Sequence, residues 1–135
     1  MSKLFYIDSN IFFYAKTMDR RYGKSCAKIV RNPAKGEIDG MASTLMLLEV
    51  ANALRKYGLV GEVKDEIDAI YSLPMKIVPL NDTIIRWAGG IYDEVKISPY
   101  DCVHAATMKK FGVKEIISVN KDFDKVPNIK RIKPI

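Results

Sequence analysis

Short apolar runs alternate with longer amphipathic segments along this chain, and this alternation constrains its fold more than any other feature. Residues 4–7, Leu-Phe-Tyr-Ile, form the first run, which has the length and composition of a strand buried on both faces of a parallel sheet. Residues 38–42, 76–79 and 115–119 are the further predicted strands. Because helical segments separate these strands, the pattern predicts an α/β fold with a mostly parallel central sheet.

Capping residues define the ends of the predicted helices, which cover residues 10–16, 20–31, 44–57, 62–72, 81–95 and 98–112. Ser98 followed by Pro99 is typical of a helix start, because serine caps the first turn and proline has a suitable φ angle. Gly58 and Gly112 occupy positions where a left-handed residue commonly ends a helix. The Gly89-Gly90 pair disfavours the helix over 81–95, since glycine weakens a helix interior.

Length and composition favour one domain, residues 1–135, because 48% hydrophobic content suffices for a single core. The 22 basic and 16 acidic residues give a net charge of +6, which suits a polyanionic partner. Cys26 and Cys102 form neither a close pair nor a metal-ligand cluster, which argues against a disulfide scaffold or a zinc module. No stretch reaches the ~18 apolar residues of a membrane span, and the N-terminus lacks a signal-peptide layout, so we expect a cytoplasmic protein without a membrane partner.

Acidic and polar residues follow two of the predicted strands. Asp8 comes directly after the first strand, and Asn120, Asp122 and Asp124 come after strand 115–119. Parallel sheets bind ligands at the carboxyl ends of their strands, so these residues are candidates for a binding site. Asp8 is equally suited to cap the helix that follows it, and its local sequence alone does not separate the two roles.

Glu49 is the one charged residue in the apolar segment 44–54. A lone carboxylate in an apolar helix costs free energy unless a partner compensates it, so Glu49 is a candidate ligand. The alternative is that Glu49 points outward on a narrow polar strip with Asn52 and Lys56.

Asp101 is a second candidate on a helix. It occupies the third position after the Ser98 cap, where an acid commonly stabilises the first turn. From the same position its carboxylate can hold a cation at the sheet edge, and the two roles are compatible. His104 lies one turn further on; because the chain has no second histidine, we expect a packed or surface side chain rather than a ligand.

The carboxylates of Asp8, Glu49, Asp101 and Asp122 would come from four separate elements to one site. Hard oxygen ligands of this type prefer Mg²⁺ or Mn²⁺ to zinc. Carboxylates a few ångströms apart repel each other, and bound divalent cations would relieve that repulsion. Such cations lower the pKa of a bound water and stabilise the oxygens at a phosphodiester, so the four acids predict metal-dependent phosphodiester chemistry.

Two other phosphate chemistries are excluded by the sequence. The segment Gly23–Ser25 lacks the earlier glycine of an NTPase phosphate-binding loop, since Met18 occupies that position and no predicted strand leads into it. A phosphatase that uses Asp8 as nucleophile would carry a second aspartate two residues later, where this chain has Asn10.

Four segments of the chain resemble the motifs of the PIN-domain family, and most closely those of its VapC-like toxins. In chain order they are Asp8–Ile11, Leu47–Asn52, Asp101–Ala106 and Ser118–Phe123. Each segment is short, but all four occur in the family's order and at family-like spacing over nearly the whole chain. The resemblance implies a three-layer α/β/α fold with a mostly parallel central sheet, in a single PIN-like nuclease domain over residues 1–135.

The resemblance also implies an activity and partners. It implies an endoribonuclease that leaves 5′-phosphate and 3′-hydroxyl ends and forms the toxin half of a type II toxin–antitoxin (VapBC-like) pair, with a VapB-like antitoxin and a homodimeric assembly. The implied catalytic acids and metal ligands are Asp8, Glu49, Asp101 and Asp122. The implied hydrogen-bonding residues that orient these acids are Ser9, Asn10, Ser118 and Asn120.

The sequence departs from the family pattern at Asn120, where some members carry an aspartate. The fourth acid is then Asp122, or less favourably Asp124, or the site has only three strong ligands. An alternative function follows from this departure, namely a noncatalytic PIN-fold domain that binds RNA or serves in assembly and has a weakened metal site. Metal-dependent cleavage of RNA distinguishes the two functions.

Basic residues recur at helical spacing in one segment, at Arg20, Lys24, Lys28, Arg31 and Lys35. On a helix they form one face, which would contact RNA phosphates and position the strand without reading its sequence. The alternative is an ordinary solvated surface. Further basic residues lie near the end of the chain, at positions 125, 130, 131 and 133.

Overall fold

A parallel sheet lies at the centre of the fold, which a computed structural model describes for residues 3–31 and 38–135. Its strands are β1 (Lys3–Ile7), β2 (Ile38–Ser43), β3 (Lys76–Val78), β4 (Glu115–Ile117) and β5 (Lys130–Ile132). Within these residues the strand order is β3-β2-β1-β4-β5, and every neighbouring pair is parallel. The carboxyl ends of β1, β2 and β4 therefore meet along one edge, which is where parallel sheets bind ligands.

Helices connect the strands. They are α1 (Ser9–Thr17), α2 (Gly23–Arg31), α3 (Thr44–Lys56), α4 (Val63–Tyr71), α5 (Asp82–Val95) and α6 (Pro99–Phe111), with short 3₁₀ helices at Val60–Glu62 and Lys121–Lys125. In the part of the chain described, none of these helices combines the length and the apolar character needed to cross a bilayer.

Different helices bury the two faces of the sheet. Ile7 of β1 belongs to a core that includes buried residues of α1, α2, α3 and α4. Its neighbour Tyr6 points to the opposite face and belongs to a core with Met108 of α6, against which α5 packs. Full burial of one aliphatic core side chain contributes roughly 1.5–3 kcal/mol to folding. Helical layers thus cover both faces of a parallel sheet, which confirms the predicted α/β fold.

The predicted capping residues define several helix ends. The Oγ of Ser98 accepts the backbone N–H of Asp101 at the start of α6. Gly112 ends α6 with a φ of 70°, and Gly58 follows α3 with a φ of 91°, a left-handed conformation that glycine adopts without strain. α5 continues through the Gly89-Gly90 pair, since residues on another side of this helix are buried against α6.

Three details of the predicted elements are wrong. α2 begins at Gly23 rather than near residue 20, because the carboxylate of Asp19 accepts the backbone N–H groups of Arg21 and Tyr22 and forms a turn there. β4 ends at Ile117, two residues early, where the chain leaves the sheet and enters the site described below. β5 is absent from the predicted strands, because a three-residue edge strand that is mostly basic has no clear apolar pattern.

Candidate metal centre

Asp8 lies at the carboxyl end of β1 and is buried. Its Oδ1 accepts the backbone N–H of Ser9 at 2.8 Å. Its Oδ2 accepts the side-chain amide of Asn10 at 2.9 Å and the hydroxyl of Ser118 at 2.5 Å. Three donors therefore fix the orientation of this carboxylate, and Ser9 contributes its backbone rather than its hydroxyl.

The loop after β4 is attached to the same carboxylate. The Oδ1 of Asn10 accepts the backbone N–H of Val119 at 3.3 Å, and the Oγ of Ser118 accepts that of Asn120 at 2.9 Å. Ser118 thus donates to Asp8 and accepts from its own loop. The ends of β1 and β4 are joined by side chains as well as by the sheet, as expected for a built site rather than a simple helix cap.

Glu49 is held by a hydrogen-bond chain that crosses the interior. Its Oε1 lies 2.5 Å from the Nε2 of the fully buried His104, whose Nδ1 lies 2.5 Å from the hydroxyl of Tyr6. The same hydroxyl accepts the backbone N–H of Ser43 at 3.1 Å. In the imidazole tautomer with its hydrogen on Nε2, Tyr6 donates to His104 and His104 donates to Glu49.

Nearby negative charges affect the pKa of His104 more than its burial does. Burial disfavours the charged imidazole, but the hydrogen bond to Glu49 and the negative charges of Asp8 and Asp101 raise the pKa of His104 above its usual value. Burial also raises the pKa of the Tyr6 hydroxyl, which therefore stays protonated at neutral pH. A neutral His104 accepts from the Tyr6 hydroxyl at Nδ1, whereas a protonated His104 donates from both ring nitrogens, and in both states its Nε2 can donate to the Glu49 carboxylate.

Asp101 serves both the helix and the site. Its backbone N–H is capped by Ser98, whereas its Oδ2 accepts the side-chain amide of Asn120 at 3.0 Å. Burial raises the pKa of Asp101 to about 6, the negative charges of Asp8 and Glu49 act in the same direction, and the amide of Asn120 opposes them. The cap and the site role are therefore compatible in one residue.

The closest group of possible ligands in the described residues consists of Asp8, Glu49 and His104, which each offer an atom within 4.8 Å of the others. His104 is the weakest ligand of the three, because each of its ring nitrogens already has a hydrogen-bond partner. The remaining donors, with Asp101 nearby, are carboxylate oxygens, which fit Mg²⁺ or Mn²⁺. The arrangement suits a hard divalent cation, with His104 orienting Glu49.

Asp122 and Asp124 point to other partners. The 3₁₀ helix Lys121–Lys125 places the half-exposed Asp122 carboxylate 3.3 Å from the ammonium of Lys125. Asp124 accepts two hydrogen bonds from Arg131. The residue of this loop that reaches another acid of the site is Asn120, through its contact with Asp101.

The sequence matches the PIN domain family over residues 5–129. This chain belongs to the PIN-domain family. The matched range includes Asp8, Glu49 and Asp101, together with Ser118 and Asn120. No curated protein sequence gives a significant match.

Solved structures share the architecture of this PIN domain. VapBC2 from Rickettsia felis, bound to a DNA fragment from its promoter, is 17% identical, with 96% of this chain and 98% of that chain covered and a TM-score of 0.73. VapC20 from Mycobacterium tuberculosis, a sarcin–ricin-loop-cleaving toxin, is 15% identical, with 90% and 93% covered and a TM-score of 0.73. DNA-bound VapBC from Salmonella typhimurium is 15% identical over the full length of both chains, with a TM-score of 0.72. At these identities the similarity shows the fold.

A groove opens beside Glu49. We use the name metal centre for the proposed cation site at Asp8, Glu49 and Asp101. The groove has a volume of about 510 Å³ and is lined by Glu49 and by neighbouring residues of α3, including Leu48, Asn52 and Lys56. Tyr100, which directly precedes Asp101, lines the same groove and is exposed. Glu49 thus contacts both the buried hydrogen-bond chain and an open surface with apolar, polar and basic groups.

The basic face predicted from residue 20 onward is only partly helical. Lys24, Lys28 and Arg31 are exposed on α2, but Arg20 lies in the turn that precedes the helix, so it does not continue their face. Lys35 lies outside the described residues. The prediction that this face contacts RNA stays a prediction for the three helical residues.

Sequence reasoning missed the roles of Tyr6 and His104. Tyr6 reads as one more apolar residue of a buried strand, and the expectation of a packed histidine is consistent with the full burial of His104 but does not include its contact with Glu49. The available indication was the spacing of His104 from Asp101, three residues along one helix, which places both side chains on the same face.

Proposed function

We propose that this chain is a divalent-metal-dependent endoribonuclease and the toxin of a type II, VapBC-like toxin–antitoxin pair. The observation that carries the proposal is the cluster of Asp8 and Glu49 with His104 at the carboxyl edge of a parallel sheet, where the charges of both acids also raise the pKa of Asp101. Membership of the PIN-domain family supports nuclease chemistry at this edge. The match over residues 5–129 also supports a single nuclease domain over residues 1–135.

Asp8, Glu49 and Asp101 would hold Mg²⁺ or Mn²⁺. A bound cation of this kind supplies an activated water and stabilises the charge that develops at a phosphodiester. Ser118 and Asn10 orient Asp8, and His104 orients Glu49.

The proposal uses three carboxylates rather than four. Asn120 already contacts Asp101, and its amide cannot supply the charge of a fourth acid. Asp122 pairs with Lys125 and is half exposed, so its part in catalysis stays a prediction from the family pattern. A three-acid site binds metal more weakly than a four-acid site, which keeps the noncatalytic alternative open to experiment.

The substrate would be RNA, with the groove beside Glu49 as its path to the metal centre. Tyr100 offers an exposed aromatic face on which an unpaired base can stack, and Lys56 offers a cation to a phosphate. Lys24, Lys28 and Arg31 on α2 would add phosphate contacts outside the groove. The net charge of +6 is consistent with a polyanionic substrate.

The partners would be a VapB-like antitoxin and a second copy of this chain. Structures with the same fold include VapBC assemblies from Rickettsia felis and Salmonella typhimurium, which supports an antitoxin partner. Ile85, Trp87 and Tyr92 are large exposed apolar residues of α5, and burial of such residues between two copies would stabilise a dimer. A cytoplasmic location follows from an RNA substrate.

Incubation of the purified protein with structured RNAs in Mn²⁺, Mg²⁺ or EDTA tests the proposal. We expect cleavage with either metal, none in EDTA, and loss of cleavage in Asp8→Asn and Asp101→Asn with the fold intact. Asp65→Asn is the matched control, because this acid is exposed on α4. Metal-dependent turnover by a well-folded Asp8→Asn protein rejects the assigned site, whereas RNA binding without any cleavage by the wild type favours the noncatalytic alternative.

A further inference from the structure

A second, strongly basic cavity lies beside the metal centre. It has a volume of about 340 Å³ and is formed by the turn before α2, the loop after β4 and the segment from β5 onward. The lining residues that carry its chemistry are Arg21, Tyr22, Val119, Lys121, Arg131 and Lys133. Four of these six side chains are cationic, and they come from three separate parts of the chain.

Arg131 is the ordered cation of this basic cavity. Its side chain is only 7% exposed, and its Nε and Nη2 donate to the two carboxylate oxygens of Asp124. Its Nη1 donates to the backbone carbonyl of Ser118 at 3.2 Å. The guanidinium is therefore held in place before any ligand arrives, which reduces the entropy cost of binding.

The other cations of the cavity are available to pair with the negative charge of a ligand. Within residues 3–31 and 38–135, neither Lys121 nor Lys133 has a carboxylate within ion-pair distance. The guanidinium of Arg21 lies over the ring of Tyr22, which leaves its charge unneutralised. The four cations outnumber the nearby carboxylate of Asp124, which hydrogen-bonds to Arg131, so the cavity has a net positive charge and is suited to an anion.

The basic cavity and the metal centre share one loop. Val119 and Lys121, which line the cavity, flank Asn120, which contacts Asp101 in the metal centre. Consecutive Cα atoms are about 3.8 Å apart, so the two sites are within reach of one extended nucleic-acid strand. Arg131 adds a second connection, since it binds the carbonyl of the same Ser118 whose hydroxyl binds Asp8.

We propose that this basic cavity binds a phosphate of the RNA strand outside the scissile position and so aligns the strand at the metal centre; the proposal rests on the proposed ribonuclease function. A phosphodiester matches the cavity in charge, and the exposed ammonium groups of Lys121 and Lys133 can contact its two free oxygens, while Arg131 adds positive charge from the wall of the cavity. An acidic protein segment has the same sign of charge, and the experiment separates the two. The contact contributes affinity and alignment without reading the base.

The test measures the binding of a fluorescent 12-nucleotide single-stranded RNA to the full chain in EDTA, over a range of NaCl concentrations. In Lys121→Gln/Lys133→Gln we expect weaker binding and a slope of log K against log salt reduced by about 0.7, since the loss of one phosphate contact on a single strand removes about 0.7. Lys109→Gln/Lys114→Gln is the matched control: both lysines are exposed, at the end of α6 and before β4, away from the sheet edge that holds the metal centre. We expect the control to keep the wild-type slope.

The outcomes separate the basic cavity from the nuclease activity. An unchanged slope in a folded Lys121→Gln/Lys133→Gln protein overturns the proposal, as does an equal loss in the control pair. Competition by a poly-glutamate peptide that equals competition by unlabelled RNA, and is lost in the same variant, also overturns it, because the cavity then takes acidic protein. A reduced slope supports the cavity even if the wild type fails to cleave RNA in Mn²⁺, a result that would reject the proposed function alone.

Discussion

The Nε2 of His104 lies 2.5 Å from the Oε1 of Glu49 and joins α6 to α3 inside the metal centre. The other ring nitrogen contacts Tyr6 of β1, whose hydroxyl accepts the N–H of Ser43 at the end of β2. Two strands and two helices are therefore connected through one buried polar chain. Such chains stabilise a unique geometry when every member has a partner, and they cost stability when one partner is removed.

Tyr6→Phe should lower both the stability of the protein and its affinity for Mn²⁺, because it interrupts the buried hydrogen-bond chain. The substitution keeps the ring but leaves the Ser43 N–H and the Nδ1 of His104 without a buried partner, which we expect to cost about 1–3 kcal/mol of unfolding free energy. Because His104 then orients Glu49 less well, we also expect Mn²⁺ affinity to fall by about tenfold. Urea unfolding and titration calorimetry measure the two effects.

Tyr14→Phe is the control for Tyr6→Phe. Tyr14 also stacks on an aromatic ring, that of Tyr22, but it lies outside the metal centre. A purely structural role for Tyr6 would lower stability and leave the Mn²⁺ dissociation constant unchanged. That result would argue against His104 as a positioning residue.

Asn120→Ala should make metal binding more sensitive to pH. In the metal-free protein the pKa of Asp101 is raised to about 6, so its carboxylate gains a proton, and metal affinity declines, as pH falls through that value. The amide of Asn120 lowers this pKa, and its removal moves the decline to higher pH. We expect the ratio of mutant to wild-type Mn²⁺ dissociation constants to be larger at pH 6 than at pH 8.

Asn52→Ala is the control for that titration, because Asn52 accepts a hydrogen bond from Arg55 on the surface of α3 and does not contact Asp101. The raised pKa of Asp101 also affects the stability of the metal-free fold. A raised carboxyl pKa stabilises the fold at low pH, and this contribution is lost as pH rises through about 6. A mutant-to-wild-type ratio that is constant with pH would show that Asn120 does not act through the charge of Asp101.

Lys24→Glu with Lys28→Glu should weaken RNA binding and reduce its salt dependence, while Mn²⁺ affinity is unchanged. Both lysines are exposed on α2, from which they would contact the phosphates of a bound strand. Fluorescence anisotropy at several salt concentrations measures the change, with Lys109→Glu/Lys110→Glu, a pair of exposed lysines in the last turn of α6, as the control. An unchanged salt slope would show that this face is an ordinary solvated surface that does not contact RNA phosphates.

Local signals made much of the fold predictable. The apolar run before Asp8, the Ser98-Pro99 start and the Gly112 end of α6 each depend on a few neighbouring residues, and the structure agrees with them. The missing strand β5 has no such signal, because its three residues gain their strand geometry from pairing with β4.

The positions of the candidate ligands Asp8 and Asp101 were predictable, because one directly follows a strand and the other follows a helix cap. The contact between Glu49 and His104 spans 55 residues of sequence, and no local pattern encodes it. The direction of Asp122 was equally hidden, because a 3₁₀ helix, rather than the continued strand, turns its carboxylate toward Lys125. Long-range side-chain geometry, not element type, is what the sequence alone left open.

Glu49→Gln tests whether the acids form one metal site. Two ionised carboxylates ~5 Å apart repel by about 3 kcal/mol at an effective dielectric of ~20. Without metal, and without a compensating partner, a charged Glu49 beside the other acids would therefore destabilise the fold. The contact with His104 offsets this repulsion, and the glutamine oxygen can still accept the Nε2 hydrogen. We therefore expect similar melting temperatures for mutant and wild type in EDTA.

Manganese should separate the two proteins. Ligand binding stabilises the native state by RT ln(1 + [L]/Kd), which is about 2.7 kcal/mol at a metal concentration one hundred times Kd. The wild type should therefore melt several degrees higher with Mn²⁺ than in EDTA, and Glu49→Gln should show a much smaller rise because it has lost one charged ligand. Glu94→Gln, which removes an exposed acid of α5, should keep the full rise. If Glu49→Gln gains as much stability from Mn²⁺ as the wild type does, Glu49 is not a ligand, and the site reduces to Asp8 and Asp101.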